Sequence, residues 1–131
     1  MSDNFKIRKI LHKEMQKKGN LILKTGIDLV SLRHAEDVLS NNKTLEALFH
    51  KTELHNKKIE SIAGTIALKE AFFKALNITP RWLDIEVMHP KRGKPSINWN
   101  PTTINNILSI NSCVNHDGEY TVATVTIIMQ K

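Results

Sequence analysis

Residues 59–76 read IESIAGTIALKEAFFKAL, and this stretch decides the architecture. It contains no proline, and at about 100° per residue Ile59, Ile62, Ala63, Ile66 and Phe73 fall on one apolar stripe. The spacing predicts one long helix over residues 59–77. Glu70 breaks the pattern: it lands near the middle of the stripe, four residues after Ile66 and three before Phe73. An ionised carboxylate in an apolar setting costs several kcal/mol unless a cation or metal compensates it. The other reading is a helix wide enough for Glu70 to reach solvent at the stripe's rim. Leu68 and Phe72 project away from the stripe, so the helix is apolar on two sides and needs covering on both. A second copy of the chain would do this, as would its own sheet or N-terminal helix.

A second carboxylate breaks the rule of its own element. Residues 21–30, LILKTGIDLV, have the β-branched and apolar content of a strand, yet Asp28 sits inside it between Ile27 and Leu29. Gly26 lies two residues earlier on the same strand face, where a missing side chain lets another group approach closely. Two carboxylates from separate elements, both in apolar settings, suggest ligands for a hard cation that meet in the fold. Mg²⁺ is the natural candidate, because it takes oxygen ligands, keeps several waters and needs only one or two carboxylates beside substrate phosphates.

Around these two segments the chain reads as a single α+β domain over residues 21–131, preceded by a basic helical extension over residues 1–20. Phe5, Ile7, Ile10, Leu11 and Met15 have roughly helical spacing, and Gly19-Asn20 ends the helix. Its basic face suits nucleic acid or an anionic membrane surface; docking on the domain as an ordinary solvated helix is the simpler expectation. A helix is expected over residues 32–49 and a turn at Thr52-Glu53-Leu54. Residues 82–88 alternate as a half-buried strand, with Ser96-Ile97-Asn98-Trp99 as its partner across a basic turn. Asn100 or Thr102 is placed to cap a short helix reaching residue 108. Residues 110–114 and 120–129 read as a final hairpin joined by Asn115-His116-Asp117-Gly118. The order of elements predicts the long helix packed on a mainly antiparallel sheet.

Composition sets bounds on function. The 131 residues include 19 Lys plus Arg against 13 Asp plus Glu, a net charge of +6, which favours an anionic partner such as nucleic acid, a phosphorylated cofactor or an acidic protein. The single Cys113 cannot form an internal disulfide. No apolar run approaches the roughly 18 residues of a membrane span, and the N-terminus lacks the pattern of a secretory signal. A cytoplasmic location is expected.

Several spaced elements together resemble the holo-acyl-carrier-protein synthases, within the phosphopantetheinyl transferase superfamily. Gly26-Ile27-Asp28-Leu29-Val30 is similar to their opening strand, and residues 63–72 with Lys74-Ala75-Leu76 to their central helix. Asp84-Ile85-Glu86-Val87 and Gly93-Lys94-Pro95 resemble their middle hairpin. Cys113-Val114-Asn115-His116-Asp117, followed by Tyr120 and Ala123, takes the place of their closing strand pair. The resemblance covers residues 21–131. It implies a phosphopantetheinyl transferase-like fold, and an enzyme that moves the phosphopantetheine arm of coenzyme A to a serine of an acyl carrier protein. Asp28 and Glu70 would hold Mg²⁺ against the coenzyme A pyrophosphate. Phosphoryl transfer needs charge neutralised on its oxygens, which agrees with that assignment. Lys74, one turn beyond Glu70, would stabilise developing charge, the plainer alternative being an i,i+4 pair with Glu70. His116 would touch the cofactor; otherwise His116-Asp117 merely shapes a turn. Lys91, Arg92 and Lys94 match a basic loop for cofactor phosphates or form a solvated cationic turn. The resemblance further implies a homotrimer with active sites between neighbouring chains.

The chain departs from the pattern at three places. Family members carry an Arg at the position of Thr65, where it meets a coenzyme A phosphate; Lys69, one turn away, is a candidate to swing toward that phosphate instead. Asn77-Ile78-Thr79 replaces a Gly-Thr-Gly-like phosphate loop, although Asn still tolerates a left-handed helix cap. Cys113 stands where Ser is common and is expected to be an inert core thiol. The carrier-facing helix carries Arg33, His34 and Lys43 but is interrupted by Glu36 and Asp37. Two competing functions remain open on the residues: a non-catalytic member that binds a carrier protein or coenzyme A, and a basic nucleic-acid-binding domain. Seven aromatic residues and no interleaved basic-aromatic strand count against the last.

Overall fold

The computed structural model describes residues 3–17, 19–55 and 58–131, and of residues 15–17 the backbone alone. The elements are α1 (Asp3–Lys17), β1 (Leu21–Ser31), α2 (Leu32–Leu39), α3 (Asn42–Leu48), a 3₁₀ turn (Lys51–Leu54), α4 (Ile59–Leu76), a second 3₁₀ turn (Trp82–Asp84), β2 (Ile85–Met88), β3 (Ser96–Trp99), β4 (Ile107–Asp117) and β5 (Tyr120–Gln130). β1, β5 and β4 form one antiparallel sheet in that order, and β2 pairs with β3 in a second, two-stranded one. The chain is α+β, with α4 laid across the inner face of the three-stranded sheet, as its sequence predicts.

α4 spans the expected residues but is not a one-stripe helix. Residues 62–69 are buried without a break, and Leu68 and Phe72 are both 0% exposed within the single chain. The sheet covers one side of α4, while α2 and β2 pack on others, so a helix apolar all round becomes the centre of the core. Leu68 and Phe72 therefore need no second copy of the chain to cover them. At the C-terminus Asn77 adopts the left-handed conformation (φ 55°), with Asn77 N–H donating to Lys74 and Ile78 N–H to Phe73.

Other boundaries move for local reasons. The helix expected over residues 32–49 is two helices, because Asn41 stops the first and caps the second through Oδ1 to Thr44 N–H. The strand expected over residues 82–88 begins only at Ile85, after the Trp82–Asp84 turn. No helix forms after Asn100. Its Oδ1 accepts from Thr102 N–H, closing a turn, and left-handed Asn106 (φ 67°) leads straight into β4. β4 and β5 run longer than expected: Asn115, His116 and Asp117 belong to β4, and Asp117 pairs with Tyr120 around a Gly118-Glu119 turn. Cys113 is exposed on the outer sheet face, not in the core.

α1 forms over Asp3–Lys17, with Met1, Ser2, Lys18 and the Met15 side chain outside the described residues. Every described side chain from Asp3 to Glu14 is exposed, including Phe5, Ile7, Ile10 and Leu11, so among the described residues the apolar side of this helix is not packed on the domain as expected. No described helix is long and apolar enough to cross a membrane.

Candidate active site

The site begins with a glycine. β1 lies so close to α4 that a Cβ built on Gly26 would stand 1.9 Å from the Ala71 carbonyl oxygen and 2.8 Å from the Ala75 nitrogen. Only a residue without a side chain permits this approach. Two residues on, along the same inward face, it delivers Asp28 onto the helix surface that carries Glu70 and Lys74. Asp28 is buried at 6% exposure, and its Oδ1 accepts from Lys74 Nζ at 2.5 Å. Oδ2 is buried without a hydrogen-bond donor. Lys74 thus pairs across elements with Asp28, not along the helix with Glu70, and its ammonium remains 59% exposed.

Glu70 is half-buried beside Asp28. Desolvation, followed by the Asp28 carboxylate close beside it, lifts the Glu70 carboxyl from 4.5 to about 7, against the opposing pull of Lys74. The hydrogen bond to Asp28 raises the Lys74 pKa above its ordinary value. The two carboxylates are close neighbours and Asp28 Oδ2 is left without a donor, a set of oxygens that suits a hard cation. Among the described residues no three His, Cys, Asp or Glu converge. A metal here would have two protein carboxylates and would complete its shell from water and substrate oxygens, which fits Mg²⁺. Glu70 and Lys74 open onto a groove of about 420 Å³ walled by Phe73, Asn77, Ile78, Pro80 and Trp82.

The other residues singled out from the sequence lie elsewhere. Thr65 is fully buried; its Oγ1 donates to the Ser61 carbonyl at 3.0 Å and meets His89 Nε2 at 2.9 Å. His116 Nδ1 is 2.8 Å from Thr121 Oγ1, and its ring lies over Gly64, beside Thr65. Thr65 and His116 thus gather at the N-terminal half of α4, five or six residues before Glu70, about 7.5–9 Å along the axis. Lys91 lines a second cleft of about 530 Å³ with Thr52, Ser61, Glu86 and His89. Lys94 turns to β4 instead, donating to Asn111 Oδ1 at 2.6 Å.

Lys69 cannot swing toward any phosphate. It is 1% exposed, and its ammonium donates to the Leu48 carbonyl (2.7 Å), Glu53 Oε1 (2.7 Å) and the Trp82 carbonyl (3.0 Å). Burial lowers its pKa while Glu53 pulls it back up. The buried Glu53 carboxylate also accepts from His50 N–H and, through Oε2, from Val87 N–H. Neither Glu53 nor His89 stands out in the sequence. An acid in a turn and a histidine beside a proline look like surface residues until their partners are known.

No protein-family model matches the chain. Curated relatives do: a holo-[acyl-carrier-protein] synthase of Campylobacter hominis is 31% identical over 121 residues, covering 81% of this chain and 98% of the relative. That of Nautilia profundicola is 31% identical over 110 residues, covering 79% and 97%. The chain belongs to the holo-[acyl-carrier-protein] synthase family. It is an enzyme of that transferase type, and its fold is theirs. The solved Helicobacter pylori synthase, in complex with coenzyme A, is 33% identical with a TM-score of 0.72, over 79% of this chain and 98% of that one. The Bacillus anthracis synthase, in complex with CoA (3′,5′-ADP), is 27% identical with a TM-score of 0.70, over 85% of this chain and all of that one.

Proposed function

We propose that this synthase transfers the phosphopantetheine arm of coenzyme A to a serine of an acyl carrier protein in the cytoplasm, with Mg²⁺, and releases adenosine 3′,5′-bisphosphate. The observation that carries the reading is the meeting of buried Asp28 with Glu70 and Lys74, which open onto one groove, in a member of this family. The serine hydroxyl attacks the phosphorus that bears the pantetheine arm. The new O–P bond forms as the bond to adenosine bisphosphate breaks, and the hydroxyl proton passes to water.

Asp28 and Glu70 would hold Mg²⁺, which when bound neutralises charge on the pyrophosphate oxygens. The two oxygens of Asp28 serve different partners, since Oδ1 holds the Lys74 ammonium at the groove and the orphaned Oδ2 is left for the metal. Lys74, exposed at its tip, would donate to a phosphate oxygen as charge builds in the transition state. Phe73, Pro80 and Trp82 give the groove an apolar wall that thins out water around the reacting bond. His116 and Lys91, at the other half of α4, would contact the nucleotide end of coenzyme A, with Thr65 framing that region from beneath His89; Lys94, in the loop between β2 and β3, would reach a phosphate only by giving up Asn111.

A homotrimer remains part of this reading, on a different surface from Leu68 and Phe72. Leu23, Ile27, Leu29 and Ile128 stand on the outer face of the three-stranded sheet, and the first three are more than 60% exposed. This is the apolar area that neighbouring copies would cover. The decisive experiment is the intact mass of an apo carrier protein after incubation with enzyme, Mg²⁺ and coenzyme A. A gain of one phosphopantetheine supports the reading, and an unchanged mass with coenzyme A bound leaves a binding protein instead.

A further inference from the structure

Lys69 is among the largest fully buried side chains described, and the ammonium it carries lines neither the groove beside Glu70 nor the cleft beside Lys91. Its three acceptors come from three segments: Leu48 at the end of α3, Glu53 in the first 3₁₀ turn, and Trp82 at the start of the second. Trp82 is also a wall of the reaction groove, which it lines together with Glu70 and Lys74. Its ring packs edge-to-face on Phe73, another wall residue, with centroids 5.8 Å apart. A buried charged pair is an expensive way to fill space, because an apolar pair of the same volume is often as stable. What an ammonium supplies, and a methyl group cannot, is direction toward several acceptors at once.

We propose that Lys69, paired with Glu53, is a positioning residue for the transfer reaction: it anchors the Trp82 backbone and so sets the width of the groove beside Glu70 and Lys74. The inference rests on the reading of that groove as the coenzyme A site. Lys69 touches no substrate and acts through Trp82. Without it the Trp82 carbonyl loses its donor, and the Trp82–Phe73 wall is free to move outward.

The test uses the double variant Lys69→Met/Glu53→Gln in the full chain, which removes both charges at near-constant volume. The expected result is a folded protein whose KM for coenzyme A rises roughly tenfold while kcat falls less. The same change placed on a Trp82→Ala background adds little, since the anchored wall is already gone. In a Trp99→Phe background Trp82 is the sole tryptophan, and the double variant should make its emission more readily quenched by acrylamide. An unchanged KM and unchanged quenching overturn the proposal, as do effects that simply add to those of Trp82→Ala. If the wild-type enzyme modifies no carrier, the proposed function fails, but quenching and calorimetric coenzyme A affinity still decide the role of Lys69. Should the double variant not fold, Trp82→Ala alone, which removes the wall that Lys69 anchors, is expected to raise KM for coenzyme A roughly tenfold; an unchanged KM overturns the proposal.

Discussion

Replacing Gly26 with alanine adds one carbon and tests the whole placement of the site. The new Cβ would lie 1.9 Å from the Ala71 carbonyl oxygen, about 1.5 Å short of the 3.4 Å of ordinary van der Waals contact. The obstruction is helix backbone, so no side chain can rotate away. β1 is paired to β5 along its full length, from Leu21 with Gln130 to Ser31 with Tyr120, so the strand retreats only by straining that ladder. Overpacking of this kind costs about 1–3 kcal/mol, and a backbone clash belongs at the upper end. At this chain length that corresponds to a fall in Tm of about 10 °C. The displaced strand carries Asp28 with it, and a misplacement near 1 Å is worth roughly 100-fold in rate. Thermal denaturation and carrier modification, each compared with Asn105→Ala in the exposed loop before β4, make the assay. Asn105→Ala should stay within about 0.5 kcal/mol of wild type. Ala75→Gly should not rescue Gly26→Ala, because the obstructing atoms are backbone. A Gly26→Ala protein that melts within about 2 °C of wild type and transfers at the normal rate would refute the close approach of β1 to α4 as the device that places Asp28.

Asp28→Asn should reduce transfer at least about 100-fold with little loss of stability, because Glu70 no longer faces a like charge; Mg²⁺ calorimetry and denaturation measured together separate the two effects. Lys69→Met by itself leaves Glu53 buried and charged without its cation, so urea denaturation should show a loss of about 3–5 kcal/mol, largely recovered when Glu53→Gln is added. Glu70 binds its proton more tightly folded, near pH 7, than unfolded, near 4.5, so its contribution to stability is full below pH 4.5 and is lost as pH rises through 7. Metal-free protein should therefore lose about 1–2 kcal/mol between pH 4.5 and 7 from this group, solvent screening of a half-exposed carboxyl reducing the full effect, and Glu70→Gln or saturating Mg²⁺ should flatten that slope.

Local rules in the sequence carried much of the site. An acid in the apolar run of residues 59–76, an aspartate inside a β-branched segment and a glycine two residues before it are each violations of a period or a propensity, and such violations are visible in one dimension. The left-handed cap at Asn77 and the strands themselves follow from the same short-range preferences. Partner choice did not. Lys74 reaches Asp28 from 46 residues away, although Glu70 is its neighbour on the helix, and Lys69 finds Glu53 16 residues back. Thr65 meets His89 across 24 residues, and Leu68 and Phe72 are covered by the chain's own elements while the outer sheet face stays bare. These outcomes depend on which surfaces the packing of α4 brings into contact, and hydrophobic periodicity says that a face is buried without saying against what. The residue types proposed to carry the chemistry were therefore legible in the sequence, while their pairing, and the direction in which each charge points, came from the tertiary structure.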